Sequence, residues 1–86
     1  MSDIEWRRLR NITAREMIGA LIRDGFVLYN QRGSHQRYRH ADGRRVTLTF
    51  HRAGDTFPIG TLRSMIELQA QWREGDLRRL SLIRQT

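Results

Sequence analysis

The sequence predicts an α+β fold: a two-layer sandwich in the order helix, three antiparallel strands, helix, with an extra helix at the C-terminal end. Three observations carry that prediction. A capped amphipathic stripe opens at Thr13, apolar and polar residues alternate strictly from Arg45 to His51, and an Asp42-Gly43 pair separates that run from an alternating segment before it. A chain of 86 residues has room for one domain. The expected organisation is an N-terminal arm over 1–12, a core domain over 13–72 and a helical extension over 73–86.

Residues 1–12 are polar and arginine-rich, with Ile4, Trp6 and Leu9 as candidate anchors, and fit an arm or a short helix. Thr13-Ala14-Arg15-Glu16 has the spacing of a capping box, in which hydroxyl and carboxylate satisfy the orphan amides of a helix start reciprocally. Ala14, Met17, Ile18, Leu21 and Ile22 then recur at three-to-four spacing as one apolar stripe. Gly25 suits the left-handed position that ends such a helix.

Phe26-Val27-Leu28-Tyr29 is aromatic and β-branched, and is the expected first strand. Arg32-Gly33 reads as a turn. In the second strand, His35 to His40, alternation puts His35, Arg37 and Arg39 on one face and Gln36, Tyr38 and His40 on the other. Asp-Gly pairs favour hairpins, so Asp42-Gly43 leads to the third strand. There Val46, Leu48 and Phe50 face one way, Arg45, Thr47, Thr49 and His51 the other: one covered face and one wet face. Pro58 and Gly60-Thr61 introduce the second helix, with Leu62, Met65, Ile66, Gln69 and Trp72 as its inner stripe. A break is expected at Glu74-Gly75-Asp76 before a third helix carrying Leu77, Leu80 and Ile83. This order resembles that of double-stranded-RNA-binding domains, which read RNA by shape and backbone contacts.

Charge narrows the function classes. Sixteen basic residues face nine acidic ones for a net +7, and all sixteen are arginine. Arginine suits phosphate because its planar fork donates two hydrogen bonds at once, although base composition of the gene gives the same bias. Between Arg32 and Arg52 the chain carries six arginines and only one acid, Asp42. That density fits the footprint of a polyanion, with a merely solvated basic face as the alternative. A membrane-surface role fits less well because the basic window is strand-like rather than an amphipathic helix. No apolar run is long enough to span a bilayer, and the first ten residues lack the apolar core of a secretory signal. The absence of cysteine removes disulfides, thiolate catalysis and cysteine-based zinc sites, and a reducing cytoplasm is the expected compartment.

The histidines His35, His40 and His51 all fall in the basic window. No carboxylate cluster accompanies them, so no metal site is expected. His40 shares a face with Tyr38 and reads as a half-buried strand histidine; His51 is expected on the wet face. His35 follows Gly33-Ser34 at the mouth of a strand, among arginines. Three roles are open to it from the residues alone: a phosphate contact, a structural hydrogen bond, or proton transfer involving a ribose 2′-hydroxyl or a leaving 5′-oxygen. Gly33 would let backbone approach a phosphate, and Ser34 is a turn former or an orienting hydroxyl.

Thr13-Ala14-Arg15-Glu16, Leu21 to Phe26, Gln31-Arg32-Gly33-Ser34-His35, Tyr38-Arg39-His40, Asp42 to Thr47 and Gly60-Thr61-Leu62-Arg63-Ser64-Met65-Ile66 occur in that order. Together they resemble the HicA, or YcfA-like, toxin family, over about residues 13 to 69. The resemblance implies a ribosome-independent mRNA interferase of a type II toxin–antitoxin system, with a dsRBD-like fold. It implies that His35, the histidine of the Gly-Ser-His element, is the catalytic residue. The turn and the basic strand face around it make Arg32, Gly33, Ser34, Arg37, Arg39 and Arg45 the candidate RNA- and phosphate-binding set. The resemblance also implies an mRNA substrate, no metal or organic cofactor, and a HicB-type antitoxin that covers the active site and provides any contact with DNA. Two departures stand out: family members are often shorter at both ends, and Phe50 to Asp55 lacks the proline and lysines common there. A non-catalytic RNA-binding module of the same fold, and a protein whose basic face recognises only an acidic partner chain, are the competing readings.

Overall fold

Thr13 starts the first helix as its sequence predicts. In a computed structural model, which describes residues 4–83, its hydroxyl accepts from the Glu16 amide at 3.2 Å and the Glu16 carboxylate accepts from the Thr13 amide at 2.9 Å. The amides of Ala14 and Arg15 donate to the carbonyls of Asp55 and Ala53, so the loop before the second helix supplies partners for this first turn. Helix α1 spans Ala14–Asp24 and ends at Gly25, whose φ of 102° lets its amide turn back to Ile22 while the Phe26 amide reaches Leu21. A Cβ on Gly25 would sit 3.0 Å from the His40 imidazole, so tight space as well as φ favours glycine there.

The strands are β1 (Val27–Arg32), β2 (His35–Arg39) and β3 (Arg45–Thr49), paired antiparallel in the order β1-β2-β3. Gly33, with φ of 54°, leads the tight turn between β1 and β2. The second turn closes on the Gly43 amide donating to the His40 carbonyl, and the Asp42 carboxylate accepts from the Arg44 amide. The first strand runs further than the apolar segment Phe26–Tyr29 indicates. Hairpin pairing carries the polar residues Asn30, Gln31 and Arg32 into the ladder, while Phe26 precedes it and is buried.

Helix α2 spans Ile59–Arg63 and continues as a π-helical segment over Ser64–Gln69. The wider turn brings the Gln69 side chain to β3, where its carbonyl oxygen accepts from the Thr47 amide at 2.9 Å and occupies part of that strand's outer edge. Gln69 is therefore an edge cap rather than a core residue. Gln71, at φ 58°, reverses the chain, and Trp72 is buried beyond the helix end. Helix α3 spans Glu74–Arg79. The expected break at Glu74-Gly75-Asp76 lies instead at Ala70 to Arg73, because the Asp76 carboxylate accepts from the Arg73 amide at 2.9 Å and makes Glu74 to Asp76 a helix start.

One apolar cluster joins Tyr38, Val46 and Leu48 of the sheet to Met17, Ala20 and Leu21 of α1, Leu62, Met65 and Ile66 of the second helix, and Leu77 and Leu80 of the third. Ile4, Leu9 and Ile12 belong to the same cluster, and Trp6–Leu9 forms a 3-10 turn. Ala20, not Ile22, completes the α1 stripe: Ile22 is 60% exposed. The radius of gyration, 12.1 Å, is that of a compact chain of this length, about 12 Å, so both flanks fold against the core.

Candidate nucleic-acid interface

Directly paired residues of an antiparallel sheet point to the same face, so the register alone assigns the face opposite the core. It consists of three rows: Arg32, His35 and Thr49; Asn30, Arg37 and Thr47; Val27, Arg39 and Arg45. No acid stands in these rows. The rise of a strand sets successive rows about 7 Å apart, so Arg37 flanks His35 and Arg39 lies about 13 Å along. The alternation predicted from sequence thus brings together His35, Arg37, Arg39 and Arg45, and the observed pairing adds Arg32, which the sequence places in a turn.

Arg32 shares the His35 face only because β1 contains a bulge. The register shifts between Leu28 and Asn30, leaving Tyr29 as the extra residue. Without that shift, Leu28 on the core face would put Arg32 there as well. Tyr29 itself follows Val27 and Leu28 in alternation and faces outward beside Asn30. The guanidinium carbons of Arg39 and Arg45 lie 5.4 and 5.8 Å from its ring centroid.

Electrostatics separate these arginines from Arg44. Among the described residues, the side chains of Arg32, Arg37, Arg39 and Arg45 make no ion pair or hydrogen bond. Arg44, which the sequence places in the same basic window, behaves oppositely. Its guanidinium is 3.1 Å from the Asp24 carboxylate and 2.8 Å from that of Asp42, donates to the Ala70 carbonyl at 2.6 Å, and lies over the Phe26 ring. Its charge is neutralised inside the fold and subtracts from the footprint that counting arginines suggests. The sheet face thus carries four guanidiniums without a carboxylate partner among the described residues.

His35 is exposed and its imidazole has no partner among the described residues. Gly33 has open space where a Cβ would stand, leaving the turn accessible to a ligand. Ser34 belongs to the other side of the hairpin: its carbonyl accepts from the Phe50 amide at 3.1 Å, and with Gln31, Gly33, Gln36, Phe50 and His51 it lines a shallow cleft of about 230 Å³. His51 lies in that cleft, past the end of β3 at Thr49, so strand alternation no longer governs where it points. Its amide and that of Arg52 donate to the Asp55 carboxylate, and these bonds, Arg52's first, hold that carboxyl below the usual range. His40 is half-buried as expected: Nε2 donates to the Asp24 carbonyl at 2.8 Å, which places the proton on that nitrogen, and Nδ1 accepts from the Asp42 amide. Among the described residues, no group of three His, Cys, Asp or Glu is placed to hold a metal ion.

The sequence matches the family model described as HicA toxin of bacterial toxin-antitoxin over residues 14–72, from the first turn of α1 to Trp72. The chain belongs to the HicA toxin family. It is therefore a toxin of a toxin–antitoxin system, and an antitoxin is its implied partner. The matched region contains the whole arginine-bearing sheet face and stops short of α3, so the helix that packs beside Asp24 lies outside the part common to HicA sequences. A comparison with curated proteins found no match. No helix among the described residues is long and apolar enough to cross a membrane.

Proposed function

We propose that this HicA protein is a messenger-RNA endonuclease acting in the cytoplasm, with His35 as its general acid–base and Arg32, Arg37, Arg39 and Arg45 as its phosphate-binding groups. The observation that carries this reading is a solvent-accessible imidazole on a face where, among the described residues, four guanidiniums have no ion-pair partner and no carboxylate stands in the rows. Neutral imidazole at His35 accepts the proton of a ribose 2′-hydroxyl. The 2′-oxygen bonds to the adjacent phosphorus as the bond to the 5′-oxygen breaks, and the leaving oxygen takes a proton from the imidazolium or from water. The products are a 2′,3′-cyclic phosphate and a 5′-hydroxyl. Arg32 and Arg37, in the same and the next row, are placed to stabilise the extra negative charge of the phosphorane-like transition state. No step needs a metal or an organic cofactor. A HicB-type antitoxin that covers this face would silence the activity, and contact with DNA would come only through that partner.

The purified protein is expected to shorten a messenger RNA in the presence of a chelator. Arg37→Gln is expected to weaken RNA binding at every sequence and to lower the slope of log affinity against log salt by about 1, with an unchanged melting temperature. Binding that falls steeply with salt, with the RNA left intact, would replace this reading by a non-catalytic RNA-binding module. A basic face that retains an acidic protein partner and does not bind RNA would replace it by a protein-docking role.

A further inference from the structure

Tyr29 lies on the arginine face, yet its ring does nothing for the core. It is 38% exposed and stands in β1 only as the residue that the bulge leaves over. Arg39 and Arg45, which flank it, face one another directly across β2 and β3. Like charges directly opposite in a sheet are destabilising, and neither arginine has a carboxylate partner among the described residues to offset that. An aromatic ring beside two guanidiniums that lack carboxylate partners complements a nucleotide: the ring stacks with the base and the forks hold the phosphates.

We infer that Tyr29, with Arg39 and Arg45, is a stacking platform for an unpaired nucleobase of the RNA. The inference rests on the ribonuclease reading above. The platform lies two rows, about 13 Å, from His35, so it takes a nucleotide further along the strand and not the one whose phosphate reacts. Tyr29 is thus a positioning residue: it holds the strand so that a phosphate lies at His35. Base faces are available to it only where the RNA is unpaired, which makes single-stranded segments the preferred ligand even though the fold resembles that of duplex binders. Stacking makes no hydrogen bond to a base edge, so the platform is tolerant of sequence.

The test uses the His35→Ala protein, so that the probe stays intact, and a labelled ribo-oligonucleotide offered single-stranded or annealed to its complement. Adding Tyr29→Ala is expected to weaken binding of the single strand roughly 5- to 100-fold, with an unchanged salt slope and little effect on the duplex. Adding Tyr29→Phe is expected to keep the affinity of the parent. Tyr29 lies outside the buried core cluster, and circular dichroism of each variant checks that the fold is intact. Equal binding of the single strand by Tyr29→Ala and its parent overturns the platform, as does an equal loss on the duplex, or a loss confined to capture of a protein partner. If the wild type cleaves RNA while Tyr29→Ala binds as the parent does, the platform alone fails. If the wild type neither binds nor cleaves RNA, the ribonuclease reading fails with it.

Discussion

His35→Ala is expected to lower the rate of RNA cleavage about 10²- to 10⁴-fold, the range a positioned general acid–base supplies. The imidazole is exposed and has no hydrogen-bond or ion-pair partner among the described residues, so its removal leaves no buried group unsatisfied. Surface substitutions of that kind change stability by roughly 0.5 kcal/mol or less, and the melting temperature should stay close to that of the wild type. RNA binding should persist as well, because Arg32, Arg37, Arg39 and Arg45 remain in place. Loss of cleavage with fold and binding retained is the signature of a catalytic group. Loss of binding in the same proportion would instead make His35 a phosphate contact.

Asp24→Ala is expected to cost about 2–4 kcal/mol of stability, lowering the melting temperature by on the order of 10–20 °C. An acid at the last residue of a helix is badly placed for the helix dipole, so its stabilisation must come from elsewhere in the chain. Its side chain is 8% exposed and accepts from the Trp72 indole at 2.9 Å, from Arg79 at 2.9 Å and from Arg44 at 3.1 Å. The β2–β3 turn, the segment after the second helix, and α3 thus all attach to the end of α1. Removing the carboxylate leaves the Arg44 guanidinium, only 17% exposed, with Asp42 and the Ala70 carbonyl alone, beside an indole N–H with no acceptor. Burial opposes ionisation of Asp24, but the bonds from Trp72, Arg79 and Arg44 together outweigh it and hold the carboxyl below the usual carboxylate range. The folded chain therefore holds this proton less tightly than the unfolded one. The stabilisation is complete above the ordinary carboxylate pKa of about 3.9 and is lost as pH falls through the lower folded value. Below about pH 4 the melting temperature of Asp24→Asn should therefore fall less steeply with pH than that of the wild type. Asp42 and Asp55 are held low too and act in the same direction, so the difference between the two curves isolates Asp24. Asp24 meets His40 just past the far end of β2 from His35, and RNA cleavage by Asp24→Asn should be unchanged at temperatures where the variant is folded.

The order of elements was legible because its signals are local. Thr13 and Glu16 bond within one helical turn, Asp42-Gly43 sets its own turn, and the alternation on β3 needs only period two. What escaped depends on contacts distant in sequence. Nothing near Arg44 in the chain reveals Asp24, so in sequence it counts with the free arginines; Gln69 falls on the inner stripe by spacing, while its partner, the Thr47 amide, is 22 residues away. Tyr29 reads in sequence as an ordinary strand residue. One signal could have found it: alternation counted back from the Gly33-Ser34 turn puts Leu28 on the wet face, whereas its apolar side chain calls for the core side. That mismatch of one residue marks the bulge. The arginine face itself was legible, since His35, Arg37, Arg39 and Arg45 follow from alternation on strands of correctly placed register.

The central claim is that toxicity resides in His35 on this face. Its most direct measurement is bacterial growth and messenger-RNA integrity after induced expression of the wild type or of His35→Ala, at matched protein levels. The wild type should arrest growth and deplete message, and His35→Ala should do neither. Arrest and message loss of equal extent with His35→Ala would contradict the account.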